Sequence, residues 1–410
     1  MGREDKVMHK HSSLILLLCL LLAAGCTSSS FPDDNEYHPK WDYPYMFYEQ
    51  GPGLRTASTE KGYYFLHQKL IYYMDKESTK PVLLDNRPDN QCLNNANDDL
   101  DPDNCYALVR FATPSSPDFL QYYDSHLYVL ESCWDEESKR SRFDKGWTLT
   151  RLDPDGRNRK IMKTFDSEPL SLSIHRGYLY YTTADASKDN DQQVNVFKIK
   201  LNNLNQEPDL IYHAPDQVRS ITDIIPYGTQ LYWLVFTDKG YETQRYDLNS
   251  GQVTRLWDRG DGGMSSLRSI SDKKLYFAYF YGDPLDKRTH KKYSSDLEGN
   301  HIEEINIDHP PIISYIYKDS KYTYILPIGV YVYDHAKDVP MQLTIFKDGQ
   351  LVHQADVSHL SKHIEIATGD DRFMFAHTIQ SDKHSILYLD KREIESGQAK
   401  FKPLLETIQN

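Results

Sequence analysis

Four carboxylates lie close together in one short segment of the chain, bounded by two cysteines. Asp98, Asp99, Asp101 and Asp103 all fall within the segment 92–105. Clustered oxygen ligands suit Ca²⁺, a hard cation that takes six to eight of them. The spacing does not match a helix–loop–helix Ca²⁺ motif, because the central glycine and the distal glutamate are missing. We therefore expect a solvated acidic loop and no cofactor, and we keep Asp99, Asp101 and Asp103 as weak candidate Ca²⁺ ligands.

Patterns of known catalytic chemistry are missing from the sequence. There is no Gly-x-Ser-x-Gly elbow, no His-Glu-x-x-His and no phosphate-binding glycine loop. We expect the scattered histidines, such as His309, His363 and His377, to be packed or exposed rather than to bind metal. With 60 acidic residues, a pair of carboxylates at the separation that glycosidases use arises by chance. The catalytic residues, if any exist, stay unknown at this stage.

The N-terminal residues are typical of a targeting signal rather than of a folded element. A polar start with three basic residues precedes the apolar run 14–22, which is too short to span a bilayer comfortably but has the length of a signal-peptide core. The next residues, Leu22-Ala23-Ala24-Gly25-Cys26, resemble a bacterial lipobox. A lipobox implies cleavage before Cys26 and acylation of its sulfur, and two or more acyl chains give stable anchoring. The alternative is a plain secretory signal with an accidental cysteine.

This interpretation predicts the location and the cysteine pairing. The mature protein is expected at the extracytoplasmic face of the cell membrane, with the bilayer as a partner through Cys26. Three cysteines then remain in an oxidising compartment, which favours one disulfide and one free thiol. Cys92 and Cys105 flank one loop, so we expect them to pair and Cys133 to pack within a strand.

One pattern of short strands recurs along the rest of the chain. In its clearest copy, Ile225–Phe236 and Tyr241–Asp247 read as strands rich in aromatic and β-branched residues, and a turn at Asn249-Ser250-Gly251 leads to a further strand. About seven such copies follow one another at the roughly 40–50-residue spacing of propeller blades. The fold class is therefore all-β, most simply one β-propeller of seven four-stranded blades over residues 54–410. A pair of β-sandwiches and two smaller propellers are the alternatives.

A propeller fold predicts which residues pack between blades and which loops lie on exposed surfaces. Tyr232, Trp233 and Tyr246 are expected to pack between blades. The loop between the first and second copies falls where propellers often bind ligands. Residues 26–53 form a lipidated tether followed by the aromatic segment 41–48, which we expect to pack against the propeller. The strand that closes the ring is left open.

Composition excludes one class of partner. The net charge is −13, which disfavours nucleic acid and anionic surfaces because both reward clustered Lys and Arg. The 31 Tyr and 15 Phe supply ample area for a core. We expect a monomer, with a protein or glycan ligand.

The order of motifs resembles a known group of proteins. The lipobox, the serine-rich tether, Gly62-Tyr63-Tyr64-Phe65, Leu70–Lys76 and a cysteine-bearing loop are similar to those of uncharacterised propeller lipoproteins of Gram-positive, clostridia-like bacteria, and the blades resemble TolB-type blades. The resemblance implies a fold and an anchor but no chemistry.

Three functions are compatible with these features. The first is a tethered binding or scaffold module that uses one face of the ring. The second is an extracellular hydrolase or lyase acting on glycans from the channel. The third is a sensor or accessory subunit that docks a membrane protein through Trp41–Tyr48.

Overall fold

The chain forms a ring of seven antiparallel sheets. The computed structural model describes residues 31–42, 53–92, 104–110, 118–135, 137, 140–186, 192–256, 264–281, 289–306, 314–327, 341–360, 363–380 and 383–408. Residues 35–410 constitute one compact unit, and residues 31–34 of the preceding unit contain no helix or strand. Each sheet is one propeller blade of four consecutive strands, and the sheet of the second blade carries a fifth strand. The predicted all-β, seven-bladed propeller is confirmed.

The strands of the first four blades occupy residues 53–256. The first strand, β1, is an addition to blade 2 rather than a member of blade 1. The bounds are β1 (Gly53–Leu54), β2 (Thr56–Ser58), β3 (Gly62–His67), β4 (Leu70–Asp75), β5 (Val82–Leu83), β6 (Asp118–Tyr123), β7 (His126–Asp135), β8 (Arg140–Leu152), β9 (Lys160–Phe165), β10 (Ser171–His175), β11 (Tyr178–Ala186), β12 (Gln192–Lys200), β13 (Asp209–His213), β14 (Val218–Tyr227), β15 (Gln230–Thr237), β16 (Gly240–Asp247) and β17 (Val253–Leu256).

The last three blades occupy residues 264–408, and blade 7 also carries a short 3-10 turn at Lys391–Glu393 before its outer strand. The bounds are β18 (Met264–Ser271), β19 (Lys274–Tyr281), β20 (Thr289–Asp296), β21 (Glu303–Glu304), β22 (Ser314–Lys318), β23 (Thr323–Pro327), β24 (Gln342–Lys347), β25 (Gln350–Asp356), β26 (His363–Gly369), β27 (Phe373–Gln380), β28 (Lys383–Asp390) and β29 (Lys402–Ile408).

The ring has two ends that differ in the turns they carry. The first strand of each blade lines the channel, and the fourth lies at the rim. One end carries the turns from the first to the second strand and from the third to the fourth strand of each blade, and we call it the AB end. The BC end carries the turns from second to third strand and the connections between blades. The two ends therefore present different sets of loops.

The aspartate at the end of the third strand of a blade stabilises the turn that follows. Asp247 Oδ1 accepts hydrogen bonds from the backbone N–H groups of Asn249 (3.0 Å) and Ser250 (2.8 Å). Gly251 completes the turn with φ = +71°, a conformation that costs a glycine little. In blade 5, Asp296 Oδ1 accepts in the same way from Asn300 N at 2.6 Å. These contacts explain why an acidic turn recurs in the sequence.

Neighbouring blades pack face to face through large aromatic and aliphatic side chains. Tyr232 packs with Leu267 and Leu275 between blades 4 and 5. Trp233 and Tyr246 lie on the other face of blade 4, stacked at 5.7 Å, in the cluster shared with blade 3. All three side chains are buried, as the packing interpretation predicts.

Among the described strands, no blade is shared by the two ends of the chain. Blade 1 is built wholly from β2–β5 and blade 7 wholly from β26–β29, while β1 pairs in parallel with β6 of blade 2. The blade 7–blade 1 seam is held by side chains, with Tyr63 and Phe65 against Phe373 and Phe375. Tyr63 also donates a hydrogen bond to Asp370 at 2.6 Å. Closure therefore depends on packing between two complete blades.

Candidate functional site

Several residues that the sequence analysis singled out lie outside the described residues. They are Cys26, Asp98, Asp99, Asp101, Asp103, His309 and residues 43–48 of the aromatic segment. Lipidation and Ca²⁺ binding therefore stay predictions.

The described ends of the acidic loop form a disulfide clasp. Cys92 and Cys105 are bonded, with 5.0 Å between their Cα atoms, and both are buried. They pack with Leu83 and Leu84 at the outer strand of blade 1, the strand farthest from the channel. Cys133 is a free, half-buried thiol in β7.

Asp85 supports this clasp from the side. Its carboxylate accepts hydrogen bonds from Arg87 Nη2 at 2.8 Å and from Tyr106 N at 2.9 Å. Burial alone would raise the pKa of Asp85, but these hydrogen bonds together lower it. Asp85, Cys92 and Cys105 are the one group among the described residues with the proximity of metal ligands. Because both sulfurs are in the disulfide, neither can bind as a thiolate.

A different group of polar residues lies on the channel wall, on the inner strands of blades 4, 5 and 6. Its members are Asp223 in β14, Arg268 in β18 and Tyr315 in β22, and we call them the channel site. Asp223 and Arg268 both fall at irregularities where the pairing register of their strands shifts. Asp223 has φ = +55°, a conformation that is uncommon for residues other than glycine, and it adopts it within a strand. Bulges of this kind often re-aim a side chain near a functional site.

Arg268 is the most unusual member of the channel site. Its side chain reaches from blade 5 to blade 6, and its guanidinium carbon lies 3.8 Å from the ring centroid of Tyr315. Only 8% of Arg268 is exposed, and its Nε has no hydrogen-bond partner among the described residues. A buried donor without a partner is costly, since its lost hydration is not replaced. The stacked ring compensates in part through a cation–π interaction.

Asp223 faces this cation without pairing with it. The two side chains interact electrostatically, yet no ion pair within 4.0 Å joins them in the part of the chain that the structure describes. Desolvation raises the pKa of Asp223 to about 7, although Arg268 and a hydrogen bond from Thr222 oppose the shift. Near neutral pH the carboxyl is therefore poised between its neutral and charged forms.

The arrangement can bind an anion. A guanidinium with free donors recognises carboxylate or phosphate in a planar, two-point geometry. A protonated Asp223 can donate a hydrogen bond to the same ligand, whereas its charged form can accept a proton. The sequence alone does not reveal this site, because its residues lie in separate blades. An arginine inside an otherwise serine-rich and apolar inner strand, Ser265-Ser266-Leu267-Arg268-Ser269, was the available signal.

A second polar group lies in the blade 7–blade 1 seam. His67 and His377 are both buried, and His377 Nε2 lies 3.4 Å from Thr56 Oγ1. Desolvation, with help from the charges of His384 and Arg55, lowers the pKa of His67 to about 4. Desolvation also holds the pKa of His377 well below its usual value. Both rings are neutral at neutral pH and act as packing groups, as the sequence analysis expects for His377.

A third polar group attaches the N-terminal part of the propeller unit to the AB end. We call residues Asn35–Asp42 the strap. Asp42 accepts hydrogen bonds from Arg176 Nε at 2.6 Å and from Arg176 Nη2 at 3.0 Å, with exposed fractions of 4% and 5%. Asn35 Oδ1 accepts from Thr229 N and Oγ1, and Glu36 pairs with Lys273 at 2.5 Å. The strap thereby contacts the AB turns of blades 3, 4 and 5.

Comparison with known proteins agrees with the fold. No family model matches the chain, and no curated protein sequence matches it either. A prolyl endopeptidase structure is similar with a TM-score of 0.55 and 9% identity, covering 91% of this chain and 51% of that chain. The tricorn protease gives a TM-score of 0.51 and 10% identity over 92% of this chain and 35% of that chain.

The third similar structure has a length closer to that of this chain. An oligogalacturonate lyase in complex with manganese gives a TM-score of 0.51 and 12% identity, covering 86% of this chain and 91% of the lyase. The chain spans about half or less of the two peptidases it resembles. At such low identity these likenesses show the propeller fold alone. Within the described residues, no helix has the length and apolarity needed to cross a membrane.

Proposed function

We propose that this protein is a membrane-tethered, extracytoplasmic propeller that binds a carboxylate-bearing ligand in its channel. The lipobox ending at Cys26 supports the tether, and the propeller fold supports a binding role. The observation that carries the ligand class is Arg268, a buried guanidinium stacked on Tyr315 whose Nε has no hydrogen-bond partner among the described residues.

The free-energy cost of burying the Arg268 guanidinium favours a ligand-binding role over a structural role. A buried charge is tolerated in folded proteins when it is paired and hydrogen-bonded. Arg268 makes neither contact with Asp223, so its burial is a cost that a bound anion would offset. A carboxylate would add charge-assisted hydrogen bonds, each contributing about 1.5–3 kcal/mol.

The experiment is a calorimetric titration of the full-length protein in nanodiscs. A galacturonate trisaccharide and a short peptide with a free C-terminal carboxylate distinguish the two sources of the group, and maltotriose and the amidated peptide are the neutral controls. We expect one carboxylate ligand to bind and Arg268→Met to weaken binding at least about tenfold. Arg255→Met removes the same charge from an exposed arginine, which pairs with the half-buried Glu242, and should leave binding unchanged.

The proposal fails if no carboxylate ligand binds, or if Arg268→Met binds as tightly as the wild type. It fails equally if Arg255→Met weakens binding as much as Arg268→Met, because the effect would then reflect the overall charge.

A second candidate function is a lyase that acts on a uronate glycan, and the neutral-range pKa of Asp223 favours it. Arg268 would bind the carboxylate of the sugar, and the charged Asp223 would take the proton from the adjacent carbon. The glycosidic oxygen on the neighbouring carbon leaves, takes up a proton, and a carbon–carbon double bond forms. This activity predicts an unsaturated product from polygalacturonate that Asp223→Asn abolishes while binding is kept. Wild-type binding without product would exclude it.

A further inference from the structure

The strap fixes where the chain leaves the propeller. Its buried contact between Asp42 and Arg176 and its contacts from Asn35 to Thr229 are all at the AB turns. Arg176 also donates from Nη2 to the carbonyl oxygen of Glu36 at 2.8 Å, and Arg176 N donates to the carbonyl oxygen of Trp41. The backbone at both ends of the strap is therefore held to one end of the ring.

The chain between Cys26 and the strap is short. Asn35 follows Cys26 by nine positions. A fully extended chain of that length reaches about 32 Å at most. Cys26 therefore cannot lie farther than this from Asn35, which contacts the AB turn of blade 4.

The opposite end of the ring is too far away for this tether. The strand β14 of the inner wall has ten residues, from Val218 to Tyr227. Its nine residue-to-residue steps of about 3.3 Å span about 30 Å before its two irregularities are considered. The tether would also have to pass outward over three further strands of a blade, at about 4.8 Å each, before it turned toward the BC end. A chain that leaves the AB end cannot place its lipid at the BC end.

We propose that the AB end of the propeller faces the membrane and that the BC end is presented outward. The inference rests on the lipid anchor at Cys26 in the proposed function. The partner is a lipid surface, and the surface that meets it comprises the AB turns around the strap.

The orientation has a consequence for ligand access. The strap covers AB turns of three successive blades, and the membrane lies beyond it. The BC end, with the connections between blades, then forms the entrance through which a ligand reaches Arg268. A ligand too large to pass under the propeller can thus enter the channel from the outer side.

Two probe positions on blade 4 test the orientation directly. Lys239 lies in the turn before β16 at the BC end, and Asn249 lies in the turn after β16 at the AB end; both are exposed. Lys239→Cys and Asn249→Cys are made separately in full-length lipidated protein that carries Cys133→Ser, and each is labelled with the same fluorophore. The proteins are placed in phosphatidylcholine vesicles with spin-labelled lipid headgroups, which quench nearby fluorophores.

We expect quenching at position 249 to exceed quenching at position 239 at least about twofold. Equal quenching, or stronger quenching at position 239, overturns the orientation. Lengthening the tether with about 12 Gly and Ser residues between Asp34 and Asn35 leaves the strap contacts intact and should reduce the difference, because a chain of that composition is flexible. A difference that is unchanged with the longer tether shows that the strap and tether do not set the orientation, and it overturns the proposal.

Two further variants separate the orientation from the anchor on which it rests. Cys26→Ala should lose vesicle binding, and retained binding would refute the lipid anchor. Asp42→Asn should keep vesicle binding but lose the difference between the two probes, because the strap is released. Glu36→Gln is the matched control, since it alters an exposed pair of the same segment and should keep the difference. Vesicle binding that depends on Cys26, together with equal quenching at both probes, would leave the anchor standing and refute the orientation.

Discussion

Two arginines of this propeller meet a carboxyl group in a buried setting, and they differ in every contact that follows. Arg176 forms a two-point pair with Asp42 at 2.6 and 3.0 Å and also donates to the backbone of Glu36. Arg268 stacks on Tyr315, leaves Nε without a partner among the described residues, and interacts with Asp223 only at a distance. The first pair is complete within the protein, and the second is completed in our account by a ligand.

The difference separates a contact that holds a segment in place from a contact that is available for binding. A buried ion pair is tolerated when the geometry is good and the remaining donors are satisfied, which is the case for Arg176. Replacing one member of this pair leaves the other as a buried charge without a partner, so the loss of stability is large. Arg268 already bears that cost, so its replacement by an apolar side chain should not destabilise the fold.

The largest expected effect comes from breaking the complete pair. Asp42→Ala leaves Arg176 buried without its partner, a change that costs about 3–5 kcal/mol in buried pairs. Because the strap can detach and let Arg176 regain water, we expect the loss to appear as release of residues 35–42. Hydrogen exchange of those amides should accelerate by about 100-fold. Unchanged protection would show that the strap is held by other contacts.

The next effect concerns the histidines of the blade 7–blade 1 seam, which are buried without charge. Since the pKa of His67 falls from 6.5 to about 4 on folding, the unfolded chain binds more protons between these pH values. The stability that His67 provides is therefore present above about pH 6.5 and lost as the pH falls toward 4, by about 3 kcal/mol.

His67→Gln tests this acid sensitivity. The variant cannot take up the proton, so its unfolding free energy should fall less steeply between pH 7 and about pH 4 than that of the wild type. Urea unfolding at both pH values gives the slope. A variant with the same slope as the wild type would show that His67 is not the acid-sensitive group of the seam.

A smaller effect of opposite sign is expected from the incomplete pair. The pKa of Asp223 rises from 3.8 to about 7 on folding, so the folded state binds the proton more tightly and loses stability as the pH rises from about 4 to about 7. Asp223→Asn removes that loss. We expect about 1–2 kcal/mol of added stability at about pH 8, after allowance for the part of the side chain that meets the channel, and little change at about pH 4. An effect that is the same at both pH values contradicts the assignment.

The smallest effect on stability is expected from an exposed ion pair. It provides the reference against which the effects of the buried contacts are compared. Arg219 and Asp238 pair at 2.8 Å with 52% and 62% of their side chains exposed. Arg219→Ala should cost less than about 1 kcal/mol in urea unfolding, because water screens the pair. A larger cost would mean that surface charges, rather than the buried contacts, dominate the electrostatic stability.

The sequence predicts repeating local structure well and contacts between distant segments poorly. The strands around Gly62–Phe65 and the turn after Asp247 follow from aromatic runs and from acidic turn residues, which act within a few positions. The predicted packing of Trp233 is confirmed, because its side chain lies in the cluster between blades 3 and 4.

The channel site and the strap were beyond sequence reasoning for a physical reason. Asp223 gains its role from a bulge with positive φ, and Arg268 gains its role from Tyr315 of the next blade. Asp42 meets Arg176 only after the ring has formed. None of these pairings leaves a periodic pattern, because each involves one position in one blade.

The decisive experiment measures the ligand affinity and the unfolding free energy of Arg268→Met on the same full-length preparation in nanodiscs. We expect affinity for the carboxylate ligand to fall at least about tenfold, while the unfolding free energy stays equal to or above that of the wild type. Unchanged affinity would refute this prediction, and so would a fall of about 3 kcal/mol or more in the unfolding free energy.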